Sequence, residues 1–238
     1  MSRRMNDATL KLGVTGRRHI VPEARAAVEK SARVFFETLA SEFSGTLSLY
    51  DGLAVGADSI AARAALDARR IATRATIYLV ALLPRDRESY ARDFKSAPRE
   101  DGRSELDDYR ELLRESDSIV EQLAPLEDPL SGYVWLGEEL VERCDAILAF
   151  WNGDASIRKP GGTVDVALKA LERGKTVFAI STPELKRKKG ADGTKIYVPD
   201  PIEGAGNLAV LRSSSAPFVF EPIEKGVKRV RAFLRGAK

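Results

Sequence analysis

The sequence predicts an α/β fold: a doubly wound, mostly parallel sheet with helices on both faces. Two observations predict it. Short strand-like runs alternate with stretches of helical period along most of the 238 residues. The intervening helices are long enough to carry the chain back over the sheet, which implies parallel pairing. One domain is expected, with a core over about 10–180 and a C-terminal extension over 181–238, a size that a single hydrophobic core supports.

Each element has a local reason. Leu10-Lys-Leu-Gly-Val-Thr15 reads as the first strand and ends at Gly16. Pro22 suits a first helical turn, and apolar residues then recur at Val28, Ala32, Phe35, Phe36, Leu39 and Phe43. Thr46–Tyr50 is a second strand, followed by Gly52, Gly56 and an alanine-rich helix over Ser59–Arg70. Ala75–Leu83 is a third strand, stopped by Pro84. The charged middle holds helical turns at Tyr90–Phe94 and Glu105–Glu115, then an edge-like strand at Ser118–Glu121. A helix over Tyr133–Cys144 leads into the strand Ala146–Trp151. Gly161 and Gly162 open another helix to about Arg173, and Thr176–Ile180 is a further strand. Lys186–Gly193 reads as a mobile loop. Short strands are expected at Ile196–Val198 and Phe218–Phe220, with a basic helix from Ile223.

Composition excludes several classes of function. No apolar run approaches the roughly 18 residues that span a bilayer, so no membrane association is expected. The polar start, Met1–Asp7, lacks the apolar segment of a secretory signal, and Cys144 is the only cysteine, so a cytoplasmic setting is expected. With one histidine and one cysteine the usual zinc cages cannot be assembled, and no metal site is expected. A Ser-His-Asp arrangement would have only His19 to draw on, and no G-x-S-x-G elbow accompanies it. The net charge of +3 is mild, so the lysines and arginines at 186–189 and in the C-terminal tail read as solvated faces and nucleic acid ranks last as a partner.

Folds of this class bind ligands beyond the carboxyl ends of their strands, so the turns after the strands are where function is sought. The first is Gly13-Val-Thr15-Gly16-Arg17-Arg18. It reads either as an anion site made of backbone amides, a hydroxyl and two guanidiniums, or as a tight turn with two solvated arginines. It lacks the dinucleotide G-x-G-x-x-G pattern, so no nicotinamide or flavin cofactor is expected. The second is Gly52 through Gly56, Ala57 and Asp58, where Asp58 is expected to cap a helix and the amides after Gly56 either face the same cleft or simply form the turn. The third runs from Trp151, Asn152 and Gly153 to Gly161, Gly162, Thr163 and Asp165. There the amides of Gly161–Thr163 suggest a second anion nest, Trp151 a base-stacking platform or a core residue, and Asp165 a ribose acceptor or a complement to the helix dipole. Leu83-Pro84-Arg-Asp86, with Tyr90, Asp93 and Phe94, suggests a wall of that cleft or a set of surface salt bridges.

Together, Gly13-Val-Thr-Gly16-Arg, Ala54-Val-Gly-Ala-Asp58, Leu83-Pro, Tyr90-Ala-Arg-Asp-Phe94 and Cys144-Asp-Ala-Ile-Leu-Ala-Phe-Trp-Asn-Gly153 resemble the SLOG superfamily over about 10–180. That superfamily includes the Lonely Guy phosphoribohydrolases, DprA-like proteins and sensor domains of bacterial conflict systems. The resemblance implies a Rossmann-like sheet whose cleft takes nucleotides or nucleotide-derived signals, and a homo-oligomer. Lonely Guy enzymes carry P-G-G-x-G-T-x-x-E, and Pro160-Gly-Gly-Thr163-Val-Asp-Val166 keeps only its glycine-threonine core. Val166 stands where the catalytic Glu is expected, and Asp165 lies one residue early, about 100° away on a helix.

The leading expectation is therefore a binding module for a nucleotide or an ADP-ribose-type signal, with no separate cofactor. Its ligand would be held by the glycine turns with Pro84, Trp151, Asn152 and Gly153 nearby. The alternative is an N-glycosidic hydrolase or transferase acting on nucleoside monophosphates, with Asp165 or Asp58 as its carboxylate. Single-stranded nucleic-acid binding is the third.

Overall fold

The computed structural model describes residues 8–100, 102–124, 128–183, 185–189, 195–199, 204–214 and 218–236. The chain runs β1 (Ala8–Thr15), α1 (Pro22–Glu42), β2 (Gly45–Asp51), α2 (Ala57–Ile71), β3 (Ala75–Leu83), α3 (Arg87–Ala91), α4 (Glu105–Glu115) and β4 (Ser118–Glu121). It continues through α5 (Pro129–Arg143), β5 (Ala146–Phe150), α6 (Thr163–Glu172), β6 (Thr176–Ile180), β7 (Leu185–Lys189), β8 (Lys195–Pro199), β9 (Leu208–Leu211) and α7 (Ile223–Gly236). Seven strands form one sheet in the order β4-β3-β2-β1-β5-β6-β9, and β7 and β8 form a separate antiparallel ribbon. All pairings in the large sheet are parallel except β6 with β9. The predicted doubly wound α/β class is the observed one.

Both faces of the sheet are covered, which is why β5 and Val177–Ile180 of β6 read as unbroken apolar runs. Along β5, Ala146, Leu148 and Phe150 join the core shared with α1 and α2, while Ile147 and Ala149 join the core beneath α5 and α6. The stripe of α1 buries Val28, Ala32, Phe35, Phe36 and Leu39 as its spacing predicts. Pro22 stands in its first turn, where the missing amide hydrogen costs nothing. Ser104 and Asp107 close a reciprocal capping box on α4, and the Asp128 carboxylate caps α5.

The C-terminal part differs from expectation. Lys186–Lys189 belong to β7 and pair with β8, so those positions are extended strand; 190–194 lie outside the described residues. No strand forms at Phe218–Phe220; the sheet is extended instead by β9, whose four residues Leu-Ala-Val-Leu are too short to show a period. Phe218 packs edge-on against Trp151. Helix α7 buries Ile223, Val227, Val230 and Leu234 and turns Lys225, Lys228, Arg229 and Arg235 outward. Arg229 pairs with Glu221 and Arg231 with Glu42, so this basic segment is the solvated helix face expected of it.

Phe178 ties the parts together: its ring lies 5.2 Å from Phe35 of α1 and 5.1 Å from Phe233 of α7. Phe178→Ala is expected to lower unfolding free energy by about 3–5 kcal/mol, measured by urea denaturation. A loss below about 1 kcal/mol would mean that α7 is not part of the same cooperative core.

Candidate functional site

The strand order reverses between β1 and β5: β2 and β3 build out from one side of β1, and β5 and β6 from the other. The connections leaving β1 and β5 therefore diverge and open a crevice at their carboxyl ends. A cavity of about 130 Å³ lies there, walled by Thr15, Gly16 and Arg18 after β1 and by Gly161, Gly162 and Thr163 before α6. Asp58, Tyr90, Tyr133 and Val166 also line it. The two glycine turns singled out in the sequence thus meet at one place.

Close packing accounts for several of the glycines. A β-carbon on Gly16 would stand 2.2 Å from that of Ala57, and one on Gly161 would stand 2.6 Å from the Tyr133 carbonyl oxygen. Gly13 packs under Ile147 and Cys144 and does not line the cavity. Gly56 has φ +90° and sits against the Arg17 and Arg18 carbonyls, a conformation and a space that only glycine accepts.

Other expectations need correction. The Ala57 amide donates to the Arg17 carbonyl of the loop after β1, and that of Ser59 to Ala54 within the turn, so these amides after Gly56 are used internally. Asp58 does not cap α2; Gly56 holds the cap position, and the Asp58 carboxylate accepts from the Ala54 amide at 3.4 Å. In the third turn the Gly161 amide donates to Asp165 and the Gly162 amide to the Lys159 carbonyl. That leaves the first-turn amides of α6, beginning with Thr163, which helix geometry deprives of an intrahelical partner.

Asp165 faces away from the cavity and braces the loop before α6. It meets Arg158 at 2.8 Å and Lys169 at 3.0 Å and is 5% exposed. Burial alone would raise its carboxyl, but hydrogen bonds from Arg158, Lys169 and the Gly161 amide outweigh that and hold it below the usual range. Val166, one residue on, takes the cavity-facing position. Trp151 is 1% exposed, donates its indole N–H to the Asp154 carbonyl and packs on Phe218, so it is a core residue and no platform for a base. Pro84 is buried and Arg17, Asn152 and Gly153 also lie outside the cavity wall; Gly153, at φ +88°, packs on Phe220.

The strand order, the helices on both faces and the crevice are together decisive. This is a Rossmann-like α/β fold. Among solved structures, the chain is similar to the DNA processing protein A (DprA) of Streptococcus pneumoniae, at 20% identity and a TM-score of 0.45 over 72% of this chain and 50% of that one. It is also similar to the structural-genomics target TM1055, at 15% identity and a TM-score of 0.38 over 71% and 72%. The chain thus spans half the length of the pneumococcal protein. No family model matches the chain. No curated protein matches it either.

The floor of this Rossmann-like crevice holds two buried carboxyls. Asp58 lines the cavity and is 8% exposed; Asp51 behind it is fully buried. One Asp51 oxygen accepts from the Leu53 amide at 2.6 Å, and the other has no hydrogen-bond partner among the described residues. Burial pushes Asp58 up to about 7, against the pull of the Ala54 amide and Arg18. Burial also pushes Asp51 well above the carboxylate range, and the neighbouring Asp58 adds to it. The rim is cationic. Arg18 and Arg85 converge on Asp93 and on the Tyr133 hydroxyl, and Tyr90 donates to the Gly52 carbonyl at 3.0 Å. Asp51 and Tyr133 were not singled out in the sequence, and Arg85 entered only within the Leu83–Asp86 segment read as a wall of the cleft or a set of surface salt bridges. Asp51 closes an ordinary strand, and the other two gain meaning only from the neighbours that folding brings to them.

The buried pair makes stability depend on pH. A carboxyl whose folded pKa is raised stabilises the fold while neutral, so that contribution is present below its unfolded value of 3.8 and is lost as pH rises through about 7. Between about pH 5 and about pH 8 the Asp58 contribution amounts to about 2–3 kcal/mol. Asp58→Asn, which keeps the acceptor and removes the ionisation, is expected to flatten that decline in urea unfolding curves. Parallel profiles for wild type and variant would show that Asp58 ionises freely.

Proposed function

We propose that the chain binds a nucleotide or a nucleotide-derived signal in the β1–β5 crevice, with the sugar-phosphate end inside the cavity, and that it is a SLOG-type protein. The observation that carries this reading is the convergence of two remote glycine turns on one cavity at the strand-order reversal. The hydroxyls of Thr15 and Thr163, the first-turn amides of α6 and the Arg18 guanidinium suit a phosphate. Asp58 suits a ribose hydroxyl, which a neutral or an ionised carboxyl can accept from. At about 130 Å³ the cavity is smaller than the roughly 300–1,000 Å³ clefts that bury whole ligands. The base would therefore lie at the mouth, beside Tyr133 and Arg18.

An enzymatic reading stands second, on one observation: Asp58, a carboxyl poised at about 7, faces the cavity. It would act on an N-glycosidic bond in place of the glutamate whose position Val166 fills. Incubation with nucleoside monophosphates, followed by chromatography for free base, separates the two readings.

Nucleoside phosphates are expected to raise the melting temperature, by about 2.7 kcal/mol of stabilisation at a hundredfold excess over Kd. Arg18→Ala is expected to weaken binding about tenfold or more, the worth of one charge-assisted contact. Gly162→Asp, which sets a carboxylate at the start of α6, should abolish it. Binding that survives both substitutions, or no stabilisation by any nucleotide at millimolar concentration, would reject the crevice as the site.

A further inference from the structure

We propose that Arg18 and Arg85 form a second anion position at the rim of the crevice, which takes the second phosphate of a ligand carrying two adjacent phosphates. This rests on the reading of the crevice as a nucleotide site and specifies its ligand class. A single oxygen, Asp93 Oδ2, receives three donors: Arg85 Nη2 at 2.5 Å, the Tyr133 hydroxyl at 2.5 Å and Arg18 Nη2 at 3.5 Å. Arg18 and Tyr133 are themselves part of the cavity wall, so the point on which the donors converge adjoins the space assigned to the first phosphate.

The charge there is not balanced. Among the described residues, two guanidiniums converge on one carboxylate, and the acid in the adjoining cavity wall, Asp58, is only partly ionised at neutral pH. The side chains of Arg18, Arg85 and Asp93 are 37%, 19% and 24% exposed, reachable from solvent yet poorly screened by it. Arg85 also lies over the Tyr90 and Tyr133 rings, 5.8 Å from each centroid, so its fork is held in place before any ligand arrives. The Arg63–Arg99–Arg103 cluster on the outer side of α2 and α4 differs in place and setting: its arginines are 43–45% exposed, and it does not border the crevice.

A phosphate offers more acceptor oxygens to two planar forks than one aspartate does, and its double charge neutralises the excess. Asp93 therefore acts as an internal competitor, holding the arginines together until a phosphate displaces it towards solvent. The crevice would accordingly prefer a diphosphate to a monophosphate.

Calorimetric titration of AMP and ADP into the full chain tests this. Wild type is expected to bind ADP about tenfold tighter than AMP or better, the gain of one charge-assisted fork. Arg85→Gln should erase that preference while changing AMP affinity less than about threefold. Arg85→Lys, which keeps the charge and the packing but loses the fork, should retain part of it. Asp93→Asn should tighten ADP more than AMP by removing the competitor. Should Arg85→Gln fail to fold, the lysine and asparagine variants carry the test. Equal affinity for AMP and ADP in wild type, or equal weakening of both in the Arg85 variants, overturns the second anion position and leaves the crevice reading standing. No binding of either nucleotide overturns both.

Discussion

The reversal of strand order between β1 and β5 is the constraint on which the rest of this molecule depends. Crossovers to one side of β1 place α1 and α2 on one face, and those to the other side place α5 and α6 on the opposite face. The chain must leave β1 and β5 in diverging directions, and the gap between them cannot be closed by the sheet itself. Its width is then fixed by how closely backbone approaches backbone. Gly16 sits against Ala57, Gly56 against the carbonyls of Arg17 and Arg18, and Gly161 against the Tyr133 carbonyl. A side chain at any of the three would push a wall outward.

That geometry changes the meaning of the glycine turns. A strand-end glycine is commonly read as room for a phosphate, yet here Gly13, Gly16 and Gly56 are first required by packing, and the amides of Ala57, Gly161 and Gly162 are spent on internal hydrogen bonds. The polar groups that face the cavity are fewer and of other kinds: two threonines, one arginine, two tyrosines and one aspartate. Asp165 shows the same exchange of roles. Its carboxylate braces the loop before α6 through Arg158, Lys169 and the Gly161 amide, and by doing so holds Gly161 in the wall.

The crevice is also electrically layered. Its floor keeps two carboxyls in a low-dielectric setting that favours their neutral forms, and its rim carries more guanidinium than carboxylate. A fully ionised floor would cancel the attraction of the rim for an anion. Burial of Asp51 and Asp58 prevents that at neutral pH and below, and for Asp58 the cost in folding stability grows as pH rises from 3.8 through about 7.

The α/β class and nearly every strand and helix to β6 were legible in the sequence, because period and length are local properties that burial on two faces imprints on a chain. So was the end of the sheet at which to look, since Thr15, Gly16 and Gly161–Thr163 all follow from strand position. Four-residue β9 and the β7 strand were not, because short segments take their structure from the partner they pair with and carry no period of their own. Which face of α6 meets the crevice, and hence that Val166 lines it while Asp165 does not, was decided by the packing of Gly137 on α5 against Val166 and Gly161. The same is true of Trp151, buried by Phe218 from the far end of the chain, and of Arg18, Arg85, Asp93 and Tyr133, whose convergence joins three separate segments. Sequence alone determined the elements as far as β6 and which of them are strand or helix; only tertiary contact, which couples residues remote along the chain, decided what each side chain faces and what charge it bears.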